Sequence, residues 1–184
     1  MVQRDAEATR AKILSAAREE FAAHGHAGGR IDRIARVADS NVRMIYAYFG
    51  NKSALFDAAL TDAITRMAEA VPPLPDDLPR WVGELYDFHH EHPDVLRICL
   101  WAQLERPEAA SEPLEAYATK AEAIRSHASA PFSTVDLLVI IYAIAQAWQT
   151  APLGLLAADP GATDASRRRA AIAAVARILG HAPE

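Results

Sequence analysis

Apolar positions recur at three- and four-residue intervals along nearly the whole chain, and nowhere do they alternate long enough to suggest a strand. The pattern predicts an all-α protein of about nine helices. Ile13, Leu14, Ala17 and Phe21 line one face of a first helix of about four turns, which Gly25 is placed to stop. His24 and His26 beside it read as capping or exposed residues. Ile31, Ile34, Ala35 and Ala38 then mark a short second helix, with Arg30, Arg33 and Arg36 on its other faces. Asp39-Ser40-Asn41 is a tight polar turn whose asparagine can cap a third helix, where Val42, Ile45, Tyr46 and Phe49 repeat the same spacing. Two short amphipathic helices across a tight turn, braced by a longer one, have the layout of a helix-turn-helix. A plain three-helix cap would show the same spacing, so the pattern leaves both readings open.

Beyond Gly50 the spacing is longer. Leu55, Phe56, Ala59, Leu60, Ala63, Ile64 and Met67 run along one helix, which must end before Val71-Pro72-Pro73-Leu74-Pro75. Leu78, Trp81, Val82, Leu85, Phe88 and His89 mark the next helix. Pro93 and Asp94 open another that is apolar on several faces, and Leu114, Tyr117, Ala118, Ala121 and Ile124 form a further stripe. Ser133 and Asp136 make a capping-box start for the most hydrophobic helix, 135–148. Thr163 or Asp164 caps the last, where Ile172, Val175, Ala176 and Leu179 repeat before Gly180.

Charge sharpens the division. The chain of 184 residues has a formal net charge of −5. Residues 1–53 nevertheless hold nine Arg/Lys against six Asp/Glu, and the remaining ten face eighteen. A basic head on an acidic body suits a local anionic partner, since contact depends on the facing patch. Arg43 and Met44 lie off the face used by Ile45 and Phe49. Arginine can fork onto guanine and methionine can sit against a thymine methyl, while Asn41, Tyr46, Tyr48, Lys52 and Arg30 offer groups for the DNA backbone. The single cysteine, Cys99, reads as a small buried hydrophobe and is consistent with a reducing compartment. No apolar run approaches the roughly 20 residues of a membrane span, so a cytoplasmic protein without membrane contact is expected.

The block Ile45-Tyr46-Ala47-Tyr48-Phe49-Gly50-Asn51-Lys52-Ser53-Ala54-Leu55-Phe56, with Ile13-Leu14, Ala17, Phe21, Gly25, Ile34-Ala35 and Ala38 ahead of it, resembles the tetracycline-repressor (TetR) family of bacterial transcription regulators. The resemblance covers about the first third of the chain. It implies a DNA-binding domain at 1–53 and a regulatory domain at 54–184 for ligand binding and dimerisation, joined through helix 53–70. It further implies a homodimer that binds a palindromic double-stranded DNA operator, most simply as a repressor released by a small apolar or aromatic effector. Two late helices then form the dimer interface, with Leu138, Ile141, Ile172, Val175 and Leu179 in it. The ligand pocket draws on Trp81, Phe88, His89, Trp101, Gln103, Tyr117, Tyr142 and Trp148. The sequence departs from the family at Gly29-Arg30, where a threonine is usual, at Asp39-Ser40 in the turn, and at Arg43, so its operator preference is its own.

Other constellations are thin. His89-His90-Glu91-His92 could suggest metal ligands but has no second cluster, and Arg167-Arg168-Arg169 reads as a solvated helix face. No catalytic motif is present, so no enzyme activity, cofactor or metal is expected. The alternative to a regulator is a helical small-molecule-binding protein without specific DNA readout.

Overall fold

The computed structural model describes residues 2–107, 114–128 and 131–180. Among these there are ten α-helices and no strand: α1 (Val2–Gly28), α2 (Ile31–Val37), α3 (Val42–Phe49), α4 (Lys52–Ala70), α5 (Leu78–Glu91), α6 (Pro93–Glu105), α7 (Leu114–Ala123), α8 (Thr134–Thr150), α9 (Leu153–Leu156) and α10 (Asp164–Ile178), with a 3₁₀ turn at Arg125–His127. Local signals set several starts. Asn41 accepts the Met44 N–H, Asp77 accepts the Arg80 N–H, and Ser133–Asp136 and Thr163–Ser166 close reciprocal capping boxes. The chain forms two compact units, Met1–Met67 with Asp94–Pro113, and Ala68–Pro93 with Leu114–Glu184. Helix α6 thus belongs with the N-terminal helices, apart from its first residue.

In the first unit Ile13, Ala17, Phe21, Ile34, Ile45, Leu55, Ala59, Leu60 and Ile98 are fully buried. Each large side chain among them contributes on the order of 1.5–3 kcal/mol of hydrophobic stabilisation. α1 does not simply end at Gly25. The backbone there takes φ 69° and ψ −178°, then resumes for a last turn. The break frees the Ala22 carbonyl, which accepts from Arg97 Nε (3.0 Å) and Trp101 Nε1 (3.2 Å) of α6. It also frees the His26 and Ala27 N–H groups, which donate to the Glu105 carboxylate at 2.6 and 3.1 Å. Arg18, buried in α1, donates to Asp62 of α4 (2.9 Å) and Asp94 of α6 (2.6 Å). Arg106 reaches Asp57 at 2.5 Å and lies over the Phe56 ring.

His26, expected to be exposed or capping, is instead half-buried against Phe21 and Phe56, with its ring 3.2 Å from Ser53 Oγ. Burial and then the charges of Arg106 and Lys52 hold its pKa below the ordinary value, so it is neutral at neutral pH.

The second unit is built on α5, against which α8 and α10 pack, with α7 against α8. Leu78, Trp81, Val82 and Leu85 of α5 are fully buried. A methyl at Gly83 would come within 3.0 Å of Ile172 and of the Arg168 guanidinium, so the missing side chain lets α10 approach α5 closely. Arg168 donates to both Asp87 oxygens, at 2.9 and 2.8 Å. That arginine is a tie between helices, in contrast to the expected solvated face. Among the described residues no helix is long and apolar enough to cross a membrane, and no cluster of His, Cys, Asp and Glu could hold a metal ion.

Candidate nucleic-acid interface

α3 is held by its inward residues. Ile45 is fully buried and Phe49 nearly so, with Arg10 of α1 stacked over the Phe49 ring at 5.1 Å. Arg43 and Ala47 then point opposite to Ile45, and both are exposed. Met44 (40% exposed) and Tyr46 (43%) flank them, so Tyr46 lies at the edge of the solvent face, outside the apolar stripe its spacing suggested. Tyr48 is half-buried beside Phe49. Ala47 and Arg10 were not among the expected site residues. Ala47 was legible from the helix period, whereas Arg10 reaches α3 only through the fold.

The turn between α2 and α3 is a Schellman motif, with Ser40 N–H to Ala35 O at 2.9 Å and Asp39 N–H to Arg36 O at 3.4 Å. Asp39 therefore occupies the left-handed position at φ 49° that glycine favours. Ser40 Oγ is buried with no partner among the described residues. Asn41 caps α3 through its Oδ1, which accepts the Met44 N–H at 2.9 Å.

The cations around α3 differ in availability. The Arg33 guanidinium is committed to Glu20, with Nη2 at 2.5 Å and Nε at 2.8 Å from one carboxylate oxygen. The same carboxylate accepts the Arg30 N–H at 2.7 Å and so fixes the start of α2, while Arg30 itself remains exposed. Burial pushes the Glu20 carboxyl up, but the hydrogen bonds from Arg33 and Arg30, with Arg33's charge, hold it below the ordinary range. Arg36 is exposed. Lys52 Nζ donates to the Ala27 carbonyl at 3.2 Å, so its charge sits between the end of α1 and the start of α4. Asn51 caps α4 by accepting the Ala54 N–H at 2.9 Å. The arrangement is a short, rigidly seated helix presenting one arginine and small or apolar neighbours, with further cations around it. That is what a major-groove reader requires.

The residues expected to line a ligand pocket fall in both units. Trp101 and Gln103 are in the first, where Trp101 is held by Ala22 and Gln103 is exposed. Trp81, Phe88, His89, Tyr117, Tyr142 and Trp148 are in the second. There Trp81 and Tyr142 meet edge to face at 6.1 Å, Phe88 lies against His89, and Trp148 against Tyr86. Trp148 also lines a groove of about 400 Å³ with Leu155, Leu156 and Arg167. Of the residues expected at a dimer interface, Leu138, Ile141 and Val175 are buried within the subunit, Ile172 packs on Gly83, and Leu179 is half-buried at the end of α10. The large apolar residues left at the surface of α8 and α9 are Val135 (60% exposed), Val139 (61%), Leu153 (83%) and Leu155 (67%).

Comparison with known proteins agrees with this geometry. Residues 13–59 match the family described as bacterial regulatory proteins, tetR family, and residues 77–177 match the tetracyclin repressor-like C-terminal domain. The chain is 46% identical over 129 residues to the HTH-type transcriptional repressor SCO4008 of Streptomyces coelicolor, covering 68% of this chain and 67% of that protein. It is 37% identical over 100 residues to the HTH-type transcriptional repressor NicS of Pseudomonas putida, of whose length the match spans only 47%. The crystal structure of SCO4942 from Streptomyces coelicolor superposes with a TM-score of 0.81 at 34% identity, covering 92% of this chain and 97% of that one. With both parts matched, and α3 seated by Ile45 and Phe49 with Arg43 outward, the chain belongs to the tetR family of bacterial regulatory proteins and is a DNA-binding transcriptional regulator.

Proposed function

We propose that the protein is a repressor that binds a palindromic operator as a homodimer and leaves it when a small molecule with an apolar or aromatic body occupies the second unit. The observation that carries the reading is the outward face of α3, where exposed Arg43 is centred opposite the buried Ile45. In this reading Arg43 and Met44 meet base edges, and Ala47 leaves room for close approach. Arg30, Tyr46, Tyr48 and Lys52 meet phosphates, and Asn41 holds the start of the helix. Residues 1–53 supply DNA contact and 54–184 regulation, with helix 53–70 joining them. A shift of α4 or α6 would reach the head through Asp57, Asp62, Asp94 and Glu105, which grip α1 and its neighbours.

The dimer surface proposed is the outer face of α8, where Val135, Val139, Ala143 and Ala147 are exposed at four-residue steps. A twofold pair is what reading a palindrome with half-sites about one DNA turn apart requires. SCO4008 and NicS are both described as transcriptional repressors, which favours repression over activation.

The test is operator selection from genomic fragments followed by titration of Arg43→Ala on selected and random duplex. The variant should lose about 1–3 kcal/mol on the selected site and little on random DNA. Equal loss on both would make Arg43 a phosphate contact and leave base reading to other residues.

A further inference from the structure

Lys120 is 3% exposed on α7, and its ammonium lies 2.6 Å from the Tyr142 hydroxyl and 5.3 and 6.0 Å from the centres of the Tyr142 and Tyr117 rings. A buried ammonium ordinarily faces a carboxylate, because the cost of leaving water must be offset by an opposite charge. Six acids of the second unit are engaged elsewhere. Glu84 pairs with Arg80, Asp87 with Arg168, Glu122 with Arg125, and Asp164 with His90 and Arg167, while Asp77 and Asp136 cap helices. Among the described residues no ion pair reaches Lys120.

His89 of α5 is 1% exposed and presents a second unmatched donor. The Gln146 amide nitrogen stands 3.2 Å from its Nε2 and donates to it, which leaves the ring proton on Nδ1. Nδ1 is buried and has no partner among the described residues. Tyr142 and Gln146 are one turn apart on α8, so the group that meets Lys120 and the group that meets His89 share one face of the same helix. Trp81, edge to face with Tyr142, adds an aromatic wall.

We propose that the second unit binds a small carboxylate on an aromatic body, its acid group accepting from the Lys120 ammonium and from His89 Nδ1, and its ring lying among Trp81, Tyr117 and Tyr142. The inference rests on the reading of this unit as the effector-binding part and names the chemical class of effector. The carboxylate supplies both the missing counter-charge and the missing acceptor. Burial lowers Lys120 to about 8, which leaves it mostly protonated at neutral pH. Burial first, and then the charge of Lys120, lowers His89 to about 4, so it enters as a neutral donor. Among the described side chains of α7 the other charged group is Glu122, exposed and paired with Arg125, and Tyr142 is the titratable group that α8 brings to the site.

The experiment uses the full chain and two probes of one shape, naphthalene-2-carboxylate and naphthalene-2-carboxamide, followed by tryptophan fluorescence and calorimetry. At pH 7 the carboxylate should bind about ten- to hundredfold more tightly than the amide. That preference should fade as pH rises through about 8, where Lys120 loses its proton. Lys120→Met should abolish the preference and at the same time raise the thermal midpoint, because an uncompensated buried charge is removed. A lysine serving only the fold would instead give a lower midpoint and an unchanged ratio. Equal affinity for the two probes, or binding of neither at millimolar concentration, overturns the proposal, and both results come from the wild-type chain. Operator release is scored in parallel. A carboxylate that binds without releasing DNA would leave this site standing and sink the effector reading, whereas an amide that binds equally and releases DNA would do the reverse.

Discussion

Gly25→Ala should be among the most damaging single-methyl changes in the first unit. Two independent effects act at this position. The backbone at φ 69° and ψ −178° lies in a region that only glycine enters freely, at a cost of about 1–3 kcal/mol for another residue. The new Cβ would also stand 2.8 Å from Trp101 Cε3 and 2.8 and 2.9 Å from the two Glu105 oxygens. Either α6 withdraws or the carboxylate turns away, and turning weakens its bonds from His26 and Ala27. Charge-assisted bonds of this kind are worth about 1.5–3 kcal/mol each when intact, less here because the Ala27 contact is exposed. The combined loss should be about 3–4 kcal/mol, a large part of an ordinary domain's stability.

Urea unfolding followed by helix circular dichroism would measure it. A double-mutant cycle with Glu105→Ala separates the two effects, because removing the carboxylate relieves part of the collision. The cycle should show coupling of about 1–2 kcal/mol, against a residual backbone penalty in the double variant. Additive losses, or a Gly25→Ala change below about 1 kcal/mol, would refute the view that the break in α1 exists to seat α6.

Three further outcomes are expected. Asp39→Gly should stabilise the head by about 0.5–1 kcal/mol, because it relieves the left-handed strain of the turn, and thermal melts would show it as a higher midpoint. Val139→Asp should give folded monomers in sedimentation velocity with weak operator binding, whereas Ile172→Asp, placed against Gly83, should unfold the second unit; a Val139→Asp dimer would move the interface elsewhere. His89 is lowered from 6.5 to about 4, so the unfolded chain takes up more protons between those values. Its contribution is therefore fully present above about pH 6.5 and is lost as pH falls toward 4, by up to about 3 kcal/mol. His89→Gln should flatten that part of the stability profile, and an unchanged profile would place the acid sensitivity in His26 or the carboxylates.

Helix positions, caps and the basic head were legible from the chain alone because they are local. Asn41 finds Met44, Ser133 finds Asp136 and Thr163 finds Ser166 within three residues, and the apolar period marks which face turns inward. The block from Ile45 to Phe56 carried the family for the same reason, since its spacing along the chain is its signature. Tertiary structure decided which of these side chains remain available. Arg33 is taken by Glu20 thirteen positions away, and Arg168 by Asp87 eighty-one away. The indole N–H of Trp101, an aromatic in an apolar helix, closes on the carbonyl released by the break in α1, a partner seventy-nine positions away. Lys120 gave no sign in sequence of being buried, because the period shows that a face is covered but not what lies beneath a polar residue at its edge. Burial and pairing are properties of residues brought together from distant parts of the chain. The position and buried face of α3 were therefore readable in advance, while the pairing of the charges that flank it and the donors inside the second unit emerge only when the helices are packed.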